Sequence, residues 1–583
     1  MSSLLCVPIL VESVETALRD AHEARRAGAD LVEFRVDDFF TGAAPEDDHA
    51  GAAIDTPETR DVLRLAALSP LPCIITCRSA REGGGYDGPD DARVALYERL
   101  GTAFGKFPDG SAEHPPRYLD AELSTWERSA NIRQKLRLAI DHPEQLRDLR
   151  TSLVLSMHDF DGRPVDLARR LAAMRAIDAA RVLKIAYRCR SIRDNLEFFD
   201  ILAERDRPTV ALGMGEFGLM SRVLAPKFGG FLTFASLRSE TVTAPGQPTI
   251  RELLDLYRFR SITPTTEVYG VIGYPLGHSL SPRVHNAGFA AIERDAVYLP
   301  MPVVGGDGAG GDRGGAAAEA TRAISDGGYE SLKATLTELI EHPRLAFRGA
   351  SVTIPHKENL VRLARESGWR IDADADAIGA ANTILVERGT GGAAAGISVH
   401  NTDAQAIVAS LEVAIGSLAG ARITVLGAGG TARAAAFALA RAGSSVTIHA
   451  RRPERAKALA ESLSRALESN LDSRSPTIRA SESATVGDYD ALINCTPVGM
   501  EGGPAPDSTP IPAASLRPGA VVLDTVYRPV ETPLIRAARD RNSRLIDGLT
   551  MFVLQAEAQF RLFTGVPSPS RLFERVVRES SAG

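Results

Sequence analysis

A lysine in the middle of an apolar run, Lys184 in RVLKIAYRC (181–189), is the first residue that calls for a chemical explanation. Of the 67 basic residues only seven are lysine, namely Lys106, Lys135, Lys184, Lys227, Lys333, Lys357 and Lys457. Arginine stays protonated, whereas a lysine held among apolar neighbours can lose its proton and attack a carbonyl. His158, in SLVLSMHDF (152–160), supplies a group that moves protons near neutral pH. The pair points to Schiff-base catalysis, a chemistry that class I aldolases would also fit. Lys357 is the second lysine in a tight apolar setting, SVTIPHK (351–357). Lys106, Lys135 and Lys227 fall in helical or loop stretches and read as solvated surface charges.

A third chemistry is written in RITVLGAGGTARAAAFALARAGSSVTIHARR (422–452). A β-branched strand runs into Gly427, Ala428, Gly429, Gly430 and Thr431, then into an alanine-rich helix and a second strand. Glycines here permit a tight turn and let a pyrophosphate approach the helix N-terminus. Ala432 stands where a third glycine is often found and still allows helix–strand packing. The second strand ends in Ala450, Arg451 and Arg452, with Arg455 just beyond and no acid before Glu454. Arginines at that place suit a 2′-phosphate, so NADP is favoured over NAD.

The elements that must hold Lys184 and His158 form a regular series. Eight apolar runs, at 4–10, 31–37, 72–78, 118–123, 152–160, 181–189, 208–215 and 231–237, alternate with amphipathic helical stretches. That spacing favours a (β/α)8 barrel over an open doubly wound sheet. Barrel chemistry sits at the C-terminal ends of the strands. Those ends carry Glu33, Arg35 and Asp37, then Arg78 and Glu82, Asp120 and Glu122, and His158 and Asp159. Lys184 lies in the sixth run and Arg222 follows the seventh. Polar residues this numerous are costly to bury unless paired, so the plain alternative is an interior plugged by salt bridges.

The ordered segments VEFRVD, TCRSAREGG, YLDAEL, SMHDF, KIA, MGEFGLMSR and APGQP resemble type I 3-dehydroquinate dehydratase along the whole barrel. The resemblance implies that Lys184 forms an imine with the substrate ketone. His158 then removes a proton from the adjacent carbon and returns it to the departing hydroxyl. It further implies that Glu82 assists His158, that Arg222 pairs with the substrate carboxylate, and that Glu33, Arg35, Arg78 and Gln247 bind substrate. Thr243 stands where the family usually places serine, which keeps the hydroxyl.

SITPTTE (261–267) reads as a short linker, and GGDGAGGDRGGAAAEA (305–320) as a surface insertion. From about residue 267 onward GHSLSP, SVTIPHK, AANTI, HNTD, INCTPVGM, DTVYRP and DGLTMFVLQAEAQF resemble shikimate dehydrogenase. The resemblance implies that Ser279, Ser281, Thr353, Asn382 and Gln555 hold the polyol acid, with Tyr527 near its carboxylate. Lys357 and Asp403 form its catalytic pair, and Thr496, Thr525 and Gly548 join the NADP site. A lysine–aspartate pair suits ketone reduction, because it can relay the proton that a developing alkoxide needs. The expected α/β architecture is an N-terminal (β/α)8 barrel over 1–260 and a linker at 261–266. A substrate lobe (267–403), a Rossmann-type NADP domain (404–548) and C-terminal helices returning to the substrate lobe (549–583) complete it.

Composition narrows the classes. The 583 residues are 44% hydrophobic and 24% charged, with a net charge of −7, so no basic field favours nucleic acid or anionic membrane. No run reaches the ~18 apolar residues of a membrane helix. Five cysteines without paired CxxC spacing point to a metal-free, cytoplasmic protein. The expected partners are small molecules, 3-dehydroquinate, 3-dehydroshikimate and shikimate, and no oligomeric state is assigned. Two rival readings are a second half that works catabolically on quinate or shikimate, and a non-catalytic regulator built on the same folds. A regulator would have no need to keep Lys184, His158, Lys357 and Asp403 together.

Overall fold

The computed structural model describes residues 3–581 apart from 42–55, 142–149, 239–245, 278, 306–318, 390–391, 469–476 and 482–486. Thr243 and most of the Gly/Ala-rich stretch 305–320 lie outside the described residues. The chain divides into two compact units, Met1–Thr266 and Glu267–Gly583.

In the first unit the eight apolar runs become eight strands. They are β1 (Leu4–Leu10), β2 (Leu31–Arg35), β3 (Cys73–Thr76), β4 (Tyr118–Glu122), β5 (Ser152–Asp159), β6 (Ala180–Arg188), β7 (Thr209–Met214) and β8 (Leu232–Phe234). They pair in parallel in the order β7-β6-β5-β4-β3-β2-β1-β8. The Phe231 N–H donates to Thr209 O at 2.8 Å, which draws β8 toward β7 and nearly closes the barrel. The period of two along each strand builds layers inside it. Cys6, Leu31, Ile74, Val154, Val182, Val210 and Leu232 pack as an apolar floor. Two residues further along the strands come Glu33, Thr76, Asp120, Ser156 and Lys184, all buried. Arg78, Glu122 and His158 lie two residues further still. One periodicity therefore produces both the core and the polar layers above it.

One expectation is corrected here. Lys227 is not a solvated surface charge: it is 5% exposed, and its ammonium donates to Pro264 O and Thr266 O at 2.8 Å each. A short helix-to-strand connection carried no pattern that separated a buried lysine from an exposed one.

The second unit has two sheets. The first comprises β9 (Glu267–Gly273), β10 (Ala296–Pro302), β11 (Phe347–Val352), β12 (Arg370–Ile371), β13 (Thr383–Arg388) and β14 (Ala394–His400), ordered β10-β9-β11-β13-β14-β12. β13 runs antiparallel to β11 and to β14. The ends of β9, β11 and β14 and the start of β13 thus share one edge, with Thr353, Asn382 and Asp403 just beyond it. The second sheet comprises β15 (Arg422–Leu426), β16 (Ser445–His449), β17 (Ile478–Ala480), β18 (Ala491–Asn494), β19 (Val521–Asp524) and β20 (Arg544–Ile546). All its pairs are parallel, in the order β17-β16-β15-β18-β19-β20. The strand order reverses between β15 and β18, where such sheets bind dinucleotides. The helix Gly548–Thr564 sends Phe552, Val553, Ala556 and Phe560 into one core with Tyr269, Val284, Phe289 and Tyr298 of the first sheet's layer. Among the described residues no helix is long and apolar enough to cross a membrane.

Candidate active sites

Lys184 projects into the middle layer of the barrel. Its Nζ donates to Glu33 Oε1 at 3.0 Å and Asp120 Oδ2 at 3.1 Å, and lies 4.6 Å from the centre of the Phe234 ring. His158 stands one layer nearer the mouth, since β5–β6 register places Ser156, not His158, opposite Lys184. Its Nδ1 lies 3.3 Å from Glu82 Oε2, and the same oxygen accepts the His158 backbone N–H at 3.0 Å. Ser124 Oγ holds the other Glu82 oxygen at 2.7 Å. One cavity brings together Glu33, Arg35, Arg78, Glu82, His158, Lys184, Arg222 and Gln247, floored by Leu212 and Phe234.

The electrostatics separate these groups by role. Burial, reinforced by Arg78 and Lys184, holds the His158 imidazole well below its ordinary value, so it is a neutral base at physiological pH. Burial raises Glu82 to about 7 against an opposing pull from Arg78. Burial alone would raise Asp120, but Arg78 and Lys184 outweigh it and keep it ionised. The salt-bridge plug is present as well: Arg78 pairs with Asp120 at 2.8 Å and Glu122 at 3.2 Å, and Arg93 with Glu122 at 2.7 Å. Arg35 is committed to Asp37 at 2.7 Å. Arg222 differs. It is 2% exposed, its Nε donates to Gly213 O at 3.1 Å, and no carboxylate pairs with it among the described residues. Burial pushes it down to about 10, the condition of a cation without a counter-ion.

In the second unit Lys357 Nζ donates to Asp403 Oδ2 at 2.5 Å and Thr431 Oγ1 at 3.0 Å. Its surroundings are therefore polar, which corrects the apolar setting read from TIPHK; Ile354 turns outward and is 51% exposed. Asn382 Nδ2 donates to Asp403 Oδ1 at 2.8 Å, so both carboxylate oxygens are held. Ser279 lies beside the Tyr527 phenol, whose ring packs 5.0 Å from Phe552. Ser281 opens the helix Ser281–Ala291, and Thr353 follows β11 at the sheet edge that also carries Asn382. Gln555 lies on the helix Gly548–Thr564, one turn before Gln559, and donates to Phe552 O at 3.2 Å. Sequence reasoning missed Tyr298, Ser351, Thr383, Thr402 and Gln559, which are buried and bonded around Asn382. All but Tyr298 stand in the quoted segments SVTIPHK, AANTI, HNTD and DGLTMFVLQAEAQF, but nothing in their type marked them.

The dinucleotide site has the expected build. Gly427 has φ +112°, and a Cβ there would lie 3.0 Å from Cys495 O. Gly429 caps the helix Gly430–Arg441, and Ala432 is fully buried against the core. Gly430 is kept small by a different neighbour, since a Cβ would meet Lys357 Cβ at 2.8 Å. Thr496 and Thr525 follow β18 and β19, Thr496 Oγ1 donating to Asn494 Oδ1 at 2.6 Å and Thr525 N to Asn494 O at 3.0 Å. A Cβ at Gly548 would come within 2.5 Å of Val526 O, so packing demands that glycine. Arg451, Arg452 and Arg455 are exposed just after β16, with no carboxylate partner among the described residues. These residues fit a dinucleotide carrying a 2′-phosphate.

The family described as type I 3-dehydroquinase matches residues 5–264. The shikimate dehydrogenase substrate binding domain matches residues 271–384, and the shikimate 5'-dehydrogenase C-terminal domain matches 548–578. The saccharopine dehydrogenase NADP binding domain matches 423–561. A shikimate dehydrogenase (NADP(+)) from Moorella thermoacetica is 38% identical over 324 residues, 55% of this chain and 95% of that one. A solved structure of dehydroquinate dehydratase and shikimate dehydrogenase from S. pombe is 22% identical, with a TM-score of 0.37, and the match covers 99% of this chain and 98% of that one. The chloroplastic bifunctional 3-dehydroquinate dehydratase/shikimate dehydrogenase of Arabidopsis thaliana is 33% identical over 591 residues, 99% of this chain and 84% of its own length. On that whole-length likeness, the chain belongs to the family of bifunctional 3-dehydroquinate dehydratase/shikimate dehydrogenases.

Proposed function

We propose that the chain converts 3-dehydroquinate to 3-dehydroshikimate in its first unit and reduces that product to shikimate in its second. The observation that carries the first half is a buried lysine, a histidine held by a carboxylate, and an arginine with no carboxylate partner among the described residues, all in one cavity at the barrel's C-terminal end. Lys184 adds to the ketone and water leaves, forming an imine whose positive nitrogen draws electrons from the neighbouring carbon. Glu33 and Asp120 hold the amine in place before the attack. His158 takes the proton from that carbon, and the imidazolium so formed hands it to the departing hydroxyl. Hydrolysis of the imine frees the product and restores Lys184. Arg222 receives the substrate carboxylate, which supplies its missing counter-ion with a fork of donors.

In the second unit Asn382 holds the Asp403 carboxylate, beside which Lys357 orients the hydroxyls of the polyol acid. NADP(H), held at the Gly427–Ala432 turn and by Arg451, Arg452 and Arg455, supplies the two-electron redox chemistry when bound. Lys357 and Asp403 give a proton to the oxygen of the reacting carbonyl, or take it back in the reverse direction. A cytoplasmic location belongs to this same reading. The test feeds 3-dehydroquinate and NADPH to the intact chain and follows nicotinamide absorbance. Consumption of NADPH is expected; none at all would sink the proposal. Turnover of shikimate against quinate, each with NADP and with NAD, decides between a biosynthetic and a catabolic second half.

A further inference from the structure

The Asn382 amide has two ends alike in shape and opposite in chemistry, and its neighbours leave it one orientation. The Thr402 backbone N–H can only donate, and it reaches Asn382 Oδ1 at 2.9 Å. The amide nitrogen therefore faces Asp403 Oδ1 (2.8 Å) and Thr402 Oγ1 (2.9 Å). The same logic fixes Gln559. The Asn382 backbone carbonyl can only accept, so Gln559 Nε2 must face it, at 3.0 Å. Its second hydrogen goes to Thr383 Oγ1 at 3.0 Å, which leaves Thr383 to donate onward to Asn382 Oδ1 at 2.9 Å. Gln559 Oε1 accepts from Ser351 Oγ at 2.7 Å, and Ser351 in turn accepts from the Tyr298 phenol at 2.6 Å. Ser281 sits beside that phenol.

The result is a one-way series of donors: Tyr298 to Ser351, Ser351 to Gln559, Gln559 to Thr383, Thr383 to Asn382, and Asn382 to Asp403. Every member is buried. Two backbone groups, the Asn382 carbonyl and the Thr402 N–H, prevent either amide from flipping. Buried hydrogen bonds aligned in one direction polarise one another. The series ends on one oxygen of a carboxylate whose other oxygen holds Lys357.

We propose that Gln559 and Thr383 are positioning residues of the reductive site, which set the Asn382 amide and through it keep the Asp403 carboxylate turned as an acceptor toward Lys357. This rests on the reading that Lys357 and Asp403 serve shikimate oxidoreduction. It gives the helix Gly548–Thr564 a second task beside presenting Gln555, because Gln559 follows one turn later on the same face.

The test compares Thr383→Val, which keeps shape and loses the hydroxyl, with Thr383→Ser, which keeps the hydroxyl; Gln559→Leu is the second break in the series. With shikimate and NADP+, Thr383→Val and Gln559→Leu should each lower kcat by about tenfold, with KM for NADP+ within about twofold of the parent. Thr383→Ser should restore most of the rate. A second readout needs no turnover: amine-reactive labelling mapped by mass spectrometry on seven lysines. The labelling rate of Lys357 should rise about threefold in Thr383→Val and Gln559→Leu, and not in Thr383→Ser. Equal losses in Thr383→Ser and Thr383→Val, or parental kcat and labelling in both breaking variants, would overturn the proposal. If the parent chain does not oxidise shikimate, the functional reading fails, and the labelling comparison still decides the positioning role.

Discussion

Burial lifts the Glu82 carboxyl from an ordinary 4.5 to about 7, and that carboxyl touches His158 through both its ring and its backbone. The ionised form accepts from Nδ1–H and leaves Nε2 free to take the substrate proton. Dehydration should therefore be fastest above pH about 7 and fall as Glu82 protonates. Glu82→Gln should lower kcat by about tenfold or more and remove that limb from the pH profile; a profile unchanged by the substitution would exclude Glu82 from this role. Stability runs the other way. The folded state keeps the proton on Glu82 up to about 7, so this contribution is full below 4.5 and is lost as pH rises through 7. Glu82→Gln should accordingly melt higher than the parent above pH 7, with the gap closing in acid. Lys184 makes the companion case. Borohydride added during turnover should fix substrate to the chain, and Lys184→Ala should prevent it while shikimate oxidation continues.

At the scale of elements, the barrel was legible because buried parallel strands are written as short apolar runs, and eight of them leave few other architectures. The polar layers were legible too, since Glu33, Arg78, Asp120, His158 and Lys184 interrupt those runs. The nucleotide turn was readable from its glycines, although Gly430 and Gly548 proved to be kept small by Lys357 and Val526 rather than by a ligand alone. Lys227 was not legible, because its partners are backbone carbonyls, which carry no sequence signal. Thr383 and Gln559 escaped for a related reason: hydrogen-bond direction depends on backbone placement around an amide, not on residue spacing. Lys227 yields its own prediction. Its ammonium ties the stretch after β7 to Pro264 and Thr266, at the end of the first unit. Lys227→Met keeps much of the length and strips the donors from two carbonyls. The first unit should lose about 2 kcal/mol of unfolding free energy, measured by denaturant titration. Unchanged stability would mean that water replaces the ammonium without cost.

For the whole molecule, the groups proposed for each step lie within one unit. The described residues that line the dehydration cavity lie between Pro8 and Gln247. The Lys357–Asp403 pair and the glycine turn all lie beyond Glu267. The residues named for each step lie within one unit, so the two activities should be separable by mixing. A chain with Lys184→Ala cannot make 3-dehydroshikimate, and a chain with Lys357→Ala reduces it poorly. Alone, each should consume little NADPH from 3-dehydroquinate. Together they should restore consumption after a lag, because the intermediate released by one chain must accumulate before the other captures it. The lag should shorten as the proportion of the Lys184→Ala chain rises, since the capacity of the chain that consumes the intermediate sets how soon supply and consumption balance. If the mixture stays inactive while each variant retains its own remaining activity, the intermediate does not leave the chain that makes it, and covalent linkage of the two units is then a requirement of the pathway rather than a convenience of equal supply.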